Sequence, residues 1–168
     1  NLATNKGRMV AVLTPHLENS LFNDMIERMV GEMTASGNNV MIGLTGVGPE
    51  QHESLVRAAL SRRVDAIIST GPVDERLAEL VARSPSLFVQ VWDLPEVPVG
   101  VAIGFDHADA GRDIARFLAS RGYLRPHVVT PESPRAQHRR QGFFTEWAAL
   151  GLSQPTESLT DMPTRFGH

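Results

Sequence analysis

The sequence predicts an α/β fold in which helices cover both faces of a doubly wound parallel sheet. Two observations predict it: short, continuously apolar runs alternate with amphipathic segments along most of the 168 residues, and turn residues separate each run from the next. Apolar runs without polar alternation are typical of strands buried on both faces, as in a parallel sheet with connecting helices. Right-handed crossovers then restrict the possible strand orders.

The N-terminal part of the chain has the clearest element signals. A first strand is predicted over residues 9–14, where branched apolar residues run up to Pro15. A helix follows from Asn19, a good N-cap, to Gly37, a typical C-terminal stop. Further strands are predicted over residues 40–44, 65–70, 87–92 and 101–105, with helices that begin near Pro49 and Asp74.

The C-terminal part continues the alternation and then loses it. The next helix is expected to end at Gly122, with Ala110, Ile114, Phe117 and Leu118 along its apolar face. A last strand over residues 127–130 precedes a helix that Ser133 caps and that reaches about Leu150. The tail to His168 has no periodicity, mixes Pro, Thr, Ser and Gly, and is expected to lack its packing partners in this chain.

Composition limits the protein classes. Hydrophobic residues make up 42% and charged residues 21%, which is typical of a folded globular protein. The absence of cysteine excludes disulfide frameworks, thiolate metal sites and cysteine nucleophiles, and it fits a cytoplasmic location. No apolar run is long enough to span a bilayer, and no secretion signal is visible, so we expect no membrane association. The missing initiator Met and the abrupt end indicate a fragment of a longer protein.

The familiar catalytic motifs are absent, and we predict neither catalytic residues, nor a metal site, nor a cofactor. The turn at residues 43–48 has glycine spacing G-x-x-G-x-G, and Pro49 removes an amide donor that a bound phosphate would need. Neither a P-loop nor a G-x-S-x-G elbow is present. No two of the six histidines have i, i+4 spacing, so we interpret them as polar surface or loop residues.

Candidate ligand residues follow from the rule that doubly wound sheets bind ligands beyond the carboxyl ends of their strands. Asp109 is a candidate acceptor for ligand hydroxyls, although a helix-capping role for Asp106 and Asp109 is equally consistent with their positions. Trp92 and Asp93 pair an aromatic face with an acceptor, which suits a polyol ring or, equally, a core Trp beside a turn. Arg139 is a candidate clamp for a carboxylate or for two hydroxyls, against the alternative of a solvated basic helix face.

The first predicted helix has an unusually broad apolar arc. Met25, Met29 and Met33 form a stripe beside the one that contains Phe22 and Ile26. The methionine stripe therefore predicts a partner interface, and a helix buried on two sides within a larger protein is the alternative.

Several segments together match the sequence signatures of one protein family. Residues 12–15 with 19–22 are similar to the family's V-x-x-P…N-P-F-F signature and depart from it at Ser20 and Leu21. Three further segments resemble R-V-D-G-I-I, G-x-D-N-x-x-A-G and R-x-x-G-F, with His107 in place of the usual Asn; they cover residues 63–68, 104–111 and 139–143. Together these segments resemble the lactose/galactose repressor family of bacterial transcription regulators. Residues 92–95 are most similar to its gluconate-operon repressor branch.

The resemblance implies a periplasmic-binding-protein-like domain of two lobes, with residues 1–130 in the N-terminal lobe and 131–168 as hinge and incomplete second lobe. It also implies a homodimeric regulator whose DNA-binding helix-turn-helix lies outside this chain. The expected effector is a sugar or sugar acid bound between the lobes. The alternatives are a periplasmic-type sugar-binding protein and, third, an α/β enzyme. The expected ligand residues are Asn19, Leu21, Phe22, Trp92, Asp93, Asp109 and Arg139.

Overall fold

The structure, a computed structural model, describes residues 8–15, 17, 20–46, 48–95 and 97–161, without the side chains of residues 20 and 21. The chain forms two compact units, Asn1–Ile103 (unit 1) and Gly104–His168 (unit 2). The boundary between them lies inside a strand, and each unit has its own hydrophobic cluster.

Unit 1 is built around a parallel sheet of the predicted kind. The sheet has the order β2-β1-β3-β4-β5, and β1 is paired in parallel with both of its neighbours. The strand order therefore reverses at β1, which confirms the doubly wound α/β fold. The elements are β1 (Met9–Thr14), α1 (Ser20–Ala35), β2 (Asn39–Leu44), α2 (Pro49–Ser61), β3 (Ala66–Ser69), α3 (Glu75–Ala82), β4 (Leu87–Asp93) and β5 (Val101–Phe105).

The strands of unit 1 form where the sequence is apolar on both faces. Ala11 and Val12 in β1 are completely buried, although their side chains point to opposite faces of the sheet. Local signals fix the helix ends: Pro49 begins α2, and the Asp74 carboxylate caps α3 by accepting a 2.8 Å hydrogen bond from the Leu77 N–H. These helices cover the core and leave the carboxyl ends of the strands at one edge.

Unit 2 consists of α4 (His107–Ser120), β6 (His127–Pro131), α5 (Pro134–Ala149) and β7 (Thr156–Thr160). Ser133 caps α5 as predicted, because its side-chain hydroxyl oxygen accepts a hydrogen bond from the Ala136 N–H. The core consists of Ala115, Phe143 and Trp147, and the Trp147 Nε1–H donates to the Ser153 carbonyl at 2.9 Å.

Two expectations for the C-terminal part differ from the structure. The tail contains β7, which pairs in parallel with β6; most of its side chains are exposed, so it carries no burial pattern from which a strand is predicted. The apolar face expected for α4 is only partly buried: Leu118 packs against the core, whereas Ile114 and Phe117 are 48% and 55% exposed. The buried residues of α4 are His107, Gly111 and Ala115.

The two compact units meet after Ile103, and the lobe boundary expected at residue 130 stays a prediction. Helix α4 and strand β6 belong to unit 2, with α5 and β7. The physical reason is that α4 packs along α5, and β6 forms its own two-stranded sheet with β7 instead of extending the sheet of unit 1.

Candidate functional site

The carboxyl ends of β1 and β3 in unit 1 carry a buried polar cluster. Thr14, Thr45, Ser69 and Thr70 are each at most 2% exposed. The Thr70 hydroxyl donates to Thr14 Oγ1 at 3.1 Å, and the Thr45 N–H donates to the Thr14 carbonyl at 2.9 Å. These hydrogen bonds therefore connect the carboxyl ends of β2, β1 and β3, which are neighbours in the sheet.

His52 of α2 belongs to this cluster, which contradicts its interpretation as a surface or loop residue. The side chain is 4% exposed, its Nε2 lies 2.9 Å from Ser69 Oγ, and the ring hydrogen-bonds the Pro72 carbonyl. Burial lowers the pKa of His52, opposed by the Pro72 hydrogen bond and by the charge of Asp74. A Cβ at Gly71 would lie 3.1 Å from the imidazole, so the turn after β3 is fitted closely to this ring.

Phe22 and Trp92, two of the predicted ligand contacts, meet in unit 1. Their ring centroids are 4.9 Å apart with an interplanar angle of 54°. Trp92 has a backbone φ of 81°, a left-handed conformation that costs a non-glycine residue about 1 to 2 kcal/mol. Such strain is concentrated at binding and catalytic sites. Asp93 follows as the half-buried last residue of β4.

Unit 2 contains the predicted polar contacts at the start of α4 and on α5. Asp106 is the N-cap, and its carboxylate accepts hydrogen bonds from the N–H groups of Ala108 and Asp109, which lower the pKa of Asp106. The Asp109 carboxylate is exposed and bonded to Arg112, one turn along the helix. The structure thus gives the capping role to Asp106 and leaves Asp109 at the surface in an ion pair.

Arg139 lies on α5 and reaches across to α4. Its Nη1 is 2.7 Å from Nδ1 of His107, whose side chain is 6% exposed. Asp109 and Arg139, the two predicted polar ligand groups, therefore have different protein partners. His107 is the residue that sequence reasoning missed, and its only signal was the replacement of the family's Asn.

The crossing of α4 and α5 is closer than side chains permit at two positions. A Cβ on Gly111 would lie 2.0 Å from the Arg139 carbonyl oxygen, and one on Gly142 would lie 2.0 Å from the Ala108 carbonyl oxygen. The helix backbones are therefore in direct contact next to the His107–Arg139 pair.

The methionine stripe is half-buried. Met25, Met29 and Met33 lie beside the buried Ile26 on α1, and the opposite face of the helix is exposed and charged. Of the remaining predicted contacts, Asn19 lies outside the described residues, and the side chain of Leu21 is not described.

Two further kinds of feature bear on function. No helix within the described parts of the chain is long and apolar enough to cross a membrane. The same ranges contain no group of three His, Asp or Glu side chains arranged to hold a metal ion.

A protein-family model and individual relatives both match this chain. The family model described as periplasmic binding proteins and sugar binding domain of LacI family matches residues 8–165. The HTH-type transcriptional regulator GntR of Pseudomonas aeruginosa is 28% identical over 166 residues, which are 97% of this chain and 48% of that protein. The regulator of the same name from Escherichia coli K12 is 24% identical over 73% of this chain and 37% of its own length. The chain thus spans about half the length, or less, of these relatives.

Solved structures show the same fold. A LacI family transcriptional regulator from Silicibacter pomeroyi has a TM-score of 0.82 and 28% identity, over 92% of this chain and 59% of that one. The transcription regulator GntR from Chromobacterium violaceum has a TM-score of 0.80 and 27% identity, over 94% of this chain and 59% of that one. These similarities extend through both units of the chain.

Proposed function

Because the chain belongs to the family of periplasmic binding proteins and LacI-family sugar-binding domains, we propose that it is the effector-binding part of a transcriptional regulator. A small molecule binds it and changes the affinity of the complete protein for operator DNA. Contact with DNA is assigned to a helix-turn-helix headpiece outside this chain, because a formal charge of -3 offers no excess of positive charge for phosphates.

The observation that carries this proposal is the similarity to a transcriptional regulator along 97% of the chain, at 28% identity. The matched relatives carry the name GntR, and the sequence motifs indicated the gluconate-operon branch of the family. We therefore propose a sugar or, in particular, a sugar acid as the effector, a cytoplasmic location and no catalytic activity.

Each predicted contact has a specific role in the proposal. Arg139 clamps the carboxylate of the sugar acid or a pair of hydroxyls, because a guanidinium offers two parallel N–H donors. The Asp109 carboxylate accepts hydrogen bonds from ligand hydroxyls, using the lone pairs that are not bonded to Arg112. Phe22 and Trp92 provide apolar surface for the sugar ring, and the strained backbone of Trp92 supports a binding role for it.

The proposal is tested by calorimetry of the full-length protein with a panel of aldonic acids and their parent hexoses. Asp109→Ala and Arg139→Ala are each expected to weaken binding by about 1.5 to 3 kcal/mol, the contribution of a hydrogen bond to a charged group. Asp113→Ala is the matched control, because Asp113 is exposed and pairs with Arg116 one turn further along α4. Unchanged affinity in both test variants would show that these two residues do not bind the effector.

A periplasmic-type sugar-binding protein is the second candidate, favoured by the inclusion of such proteins in the same family. The coding sequence upstream of Asn1 separates the two. A regulator requires a helix-turn-helix segment of about 50 to 60 residues there, and a signal peptide at that position would favour the periplasmic protein instead. A gel-shift assay with the protein's own promoter DNA, with and without the bound sugar, then tests regulation directly.

A further inference from the structure

The hydrogen bond between Arg139 and His107 defines the state of the histidine ring. A guanidinium has only N–H donors, so Arg139 Nη1 donates and His107 Nδ1 accepts over the 2.7 Å between them. An accepting Nδ1 carries no proton. His107 is therefore a neutral imidazole with its proton on Nε2.

Both ends of this hydrogen bond are held rigidly. His107 is the first residue of α4, directly after the Asp106 cap, and its ring packs against Phe105 with centroids 4.6 Å apart. On α5, the backbone of Arg139 is in contact with Gly111 of α4. A buried ring and a backbone contact leave the acceptor little freedom to move relative to the arginine.

Three ion pairs among the described residues of unit 2 are of a different kind. Arg112, Arg116 and Arg140 donate to carboxylates on Asp109, Glu146 and Glu157 respectively, and each of these pairs includes at least one exposed or half-exposed side chain. The Arg116–Glu146 and Arg140–Glu157 pairs are bidentate, so in them a carboxylate of the protein itself occupies the fork of the guanidinium. The contact of Arg139 with a buried, neutral ring is an orienting contact.

Orientation matters most for a ligand that binds the guanidinium through two parallel hydrogen bonds. A carboxylate needs the plane and the fork of the guanidinium in one geometry, whereas a single hydroxyl accepts a hydrogen bond from many directions. Fixing the guanidinium before binding also removes part of the side-chain entropy that ligand binding otherwise has to overcome.

We propose that His107 is a positioning residue that fixes the guanidinium of Arg139 and so makes the effector site select sugar acids over neutral sugars. This inference rests on the ligand role that the proposed function gives to Arg139. The family's usual Asn is consistent with it, because Asn Oδ1 is attached to Cγ as Nδ1 is in histidine and offers an acceptor at the same distance from the backbone.

The test compares two substitutions of His107 in the full-length protein. His107→Phe keeps an aromatic ring against Phe105 but removes the acceptor, and His107→Asn keeps the acceptor but removes the ring. Binding of D-gluconate and D-glucose is measured by calorimetry at neutral pH, and the thermal unfolding midpoint shows that each variant is folded. We expect the Phe variant to bind D-gluconate about five- to tenfold more weakly, with a smaller change for D-glucose, and the Asn variant to keep the wild-type preference.

The outcomes separate this inference from the proposed function. If the wild-type protein binds neither probe nor any other sugar or sugar acid of the panel, both the proposed function and the inference are overturned. If the wild type prefers D-gluconate and the folded Phe variant keeps that preference, the inference alone is overturned. The ¹⁵N NMR spectrum of the histidine side chains provides a test that needs no ligand. We expect His107 to show a protonated Nε2. A proton on Nδ1 contradicts the inference whatever the protein binds.

Discussion

Alanine at Gly142 is predicted to force α4 and α5 apart. The new Cβ would lie 2.0 Å from the carbonyl oxygen, 2.7 Å from the carbonyl carbon and 2.8 Å from the Cα of Ala108. All three are backbone atoms of a helix, so no side-chain rotation relieves the overlap. The helices must separate by at least about 1 Å, the difference between 2.0 Å and the 3.0 Å that real Cβ atoms require.

The stability change follows from two opposing contributions. Separation of the helices loosens the core of Phe143 and Trp147 at the crossing, and overpacking of this kind costs about 3 kcal/mol when backbone has to move. The higher helix propensity of alanine returns about 1 kcal/mol. We expect a net loss of about 2 kcal/mol, which lowers the midpoint of thermal unfolding by about 4 to 8 °C.

Thermal and urea unfolding of the full-length protein, followed by circular dichroism, measure this change. Gly31→Ala is the matched control. Gly31 is also inside a helix, but apart from its chain neighbours and the backbone of its own helix no atom lies within 4 Å of the position that an added Cβ would take, so alanine there is expected to stabilise the protein by about 1 kcal/mol. A Gly142→Ala protein as stable as the wild type, or more stable, would refute the close-contact argument, because the overlap would then cost no more than the propensity gain of about 1 kcal/mol.

Two other predictions concern unit 1. Lowering the pH below 6.5 is expected to destabilise the protein, as measured by urea unfolding. Because burial lowers the pKa of His52 in the folded state, the unfolded state takes up this proton first. The stability present above pH 6.5 is therefore lost as the pH falls through the folded-state pKa. His52→Gln should flatten this pH dependence, and parallel profiles for the two proteins would exclude His52 as its cause. Met25→Glu combined with Met29→Glu is expected to convert the proposed homodimer into monomers in analytical ultracentrifugation, since charge is costly in an apolar interface. Arg28→Glu, on the exposed face of the same helix, is the control; a double variant that dimerises as tightly as the wild type would place the interface elsewhere.

The sheet of unit 1 was predictable because its signal is local. β1 is buried on both faces, so each of its residues has to be apolar or small, and the run of residues 9–14 shows this directly. The ends of α3 and α5 were predictable for a related reason, since Asp74 and Ser133 cap the helices within three residues of themselves.

Unit 2 was less predictable because its packing depends on small residues. The buried face of α4 is formed by His107, Gly111 and Ala115, whereas hydrophobic periodicity points to Ile114 and Phe117, which remain exposed. A glycine that permits backbone contact between helices has no hydrophobic signal, because what it contributes is the absence of a side chain. Strand β7 depends in the same way on a partner that the local sequence does not specify.

In the candidate site, too, the sequence predicted some features and tertiary packing decided the others. Trp92, Asp109 and Arg139 were identified one at a time, from residue type and from position at the ends of predicted elements. Their partners were not, because the contact of Arg139 with His107 joins residues 32 positions apart on different helices. A sequence pattern identifies residue types suited to a ligand, and tertiary packing decides which neighbour orients them.

The placement of the two tryptophans gives the chain a native optical label in each unit. Trp147 is completely buried in unit 2, where its indole N–H is bonded to a carbonyl, so its fluorescence is expected at short wavelength and out of reach of iodide. Trp92 in unit 1 is only half-buried beside Phe22, so its emission is accessible to a quencher. A sugar ring lying on Trp92 would shield that emission and leave the Trp147 signal unchanged, whereas loosening of the α4–α5 crossing would change Trp147 first.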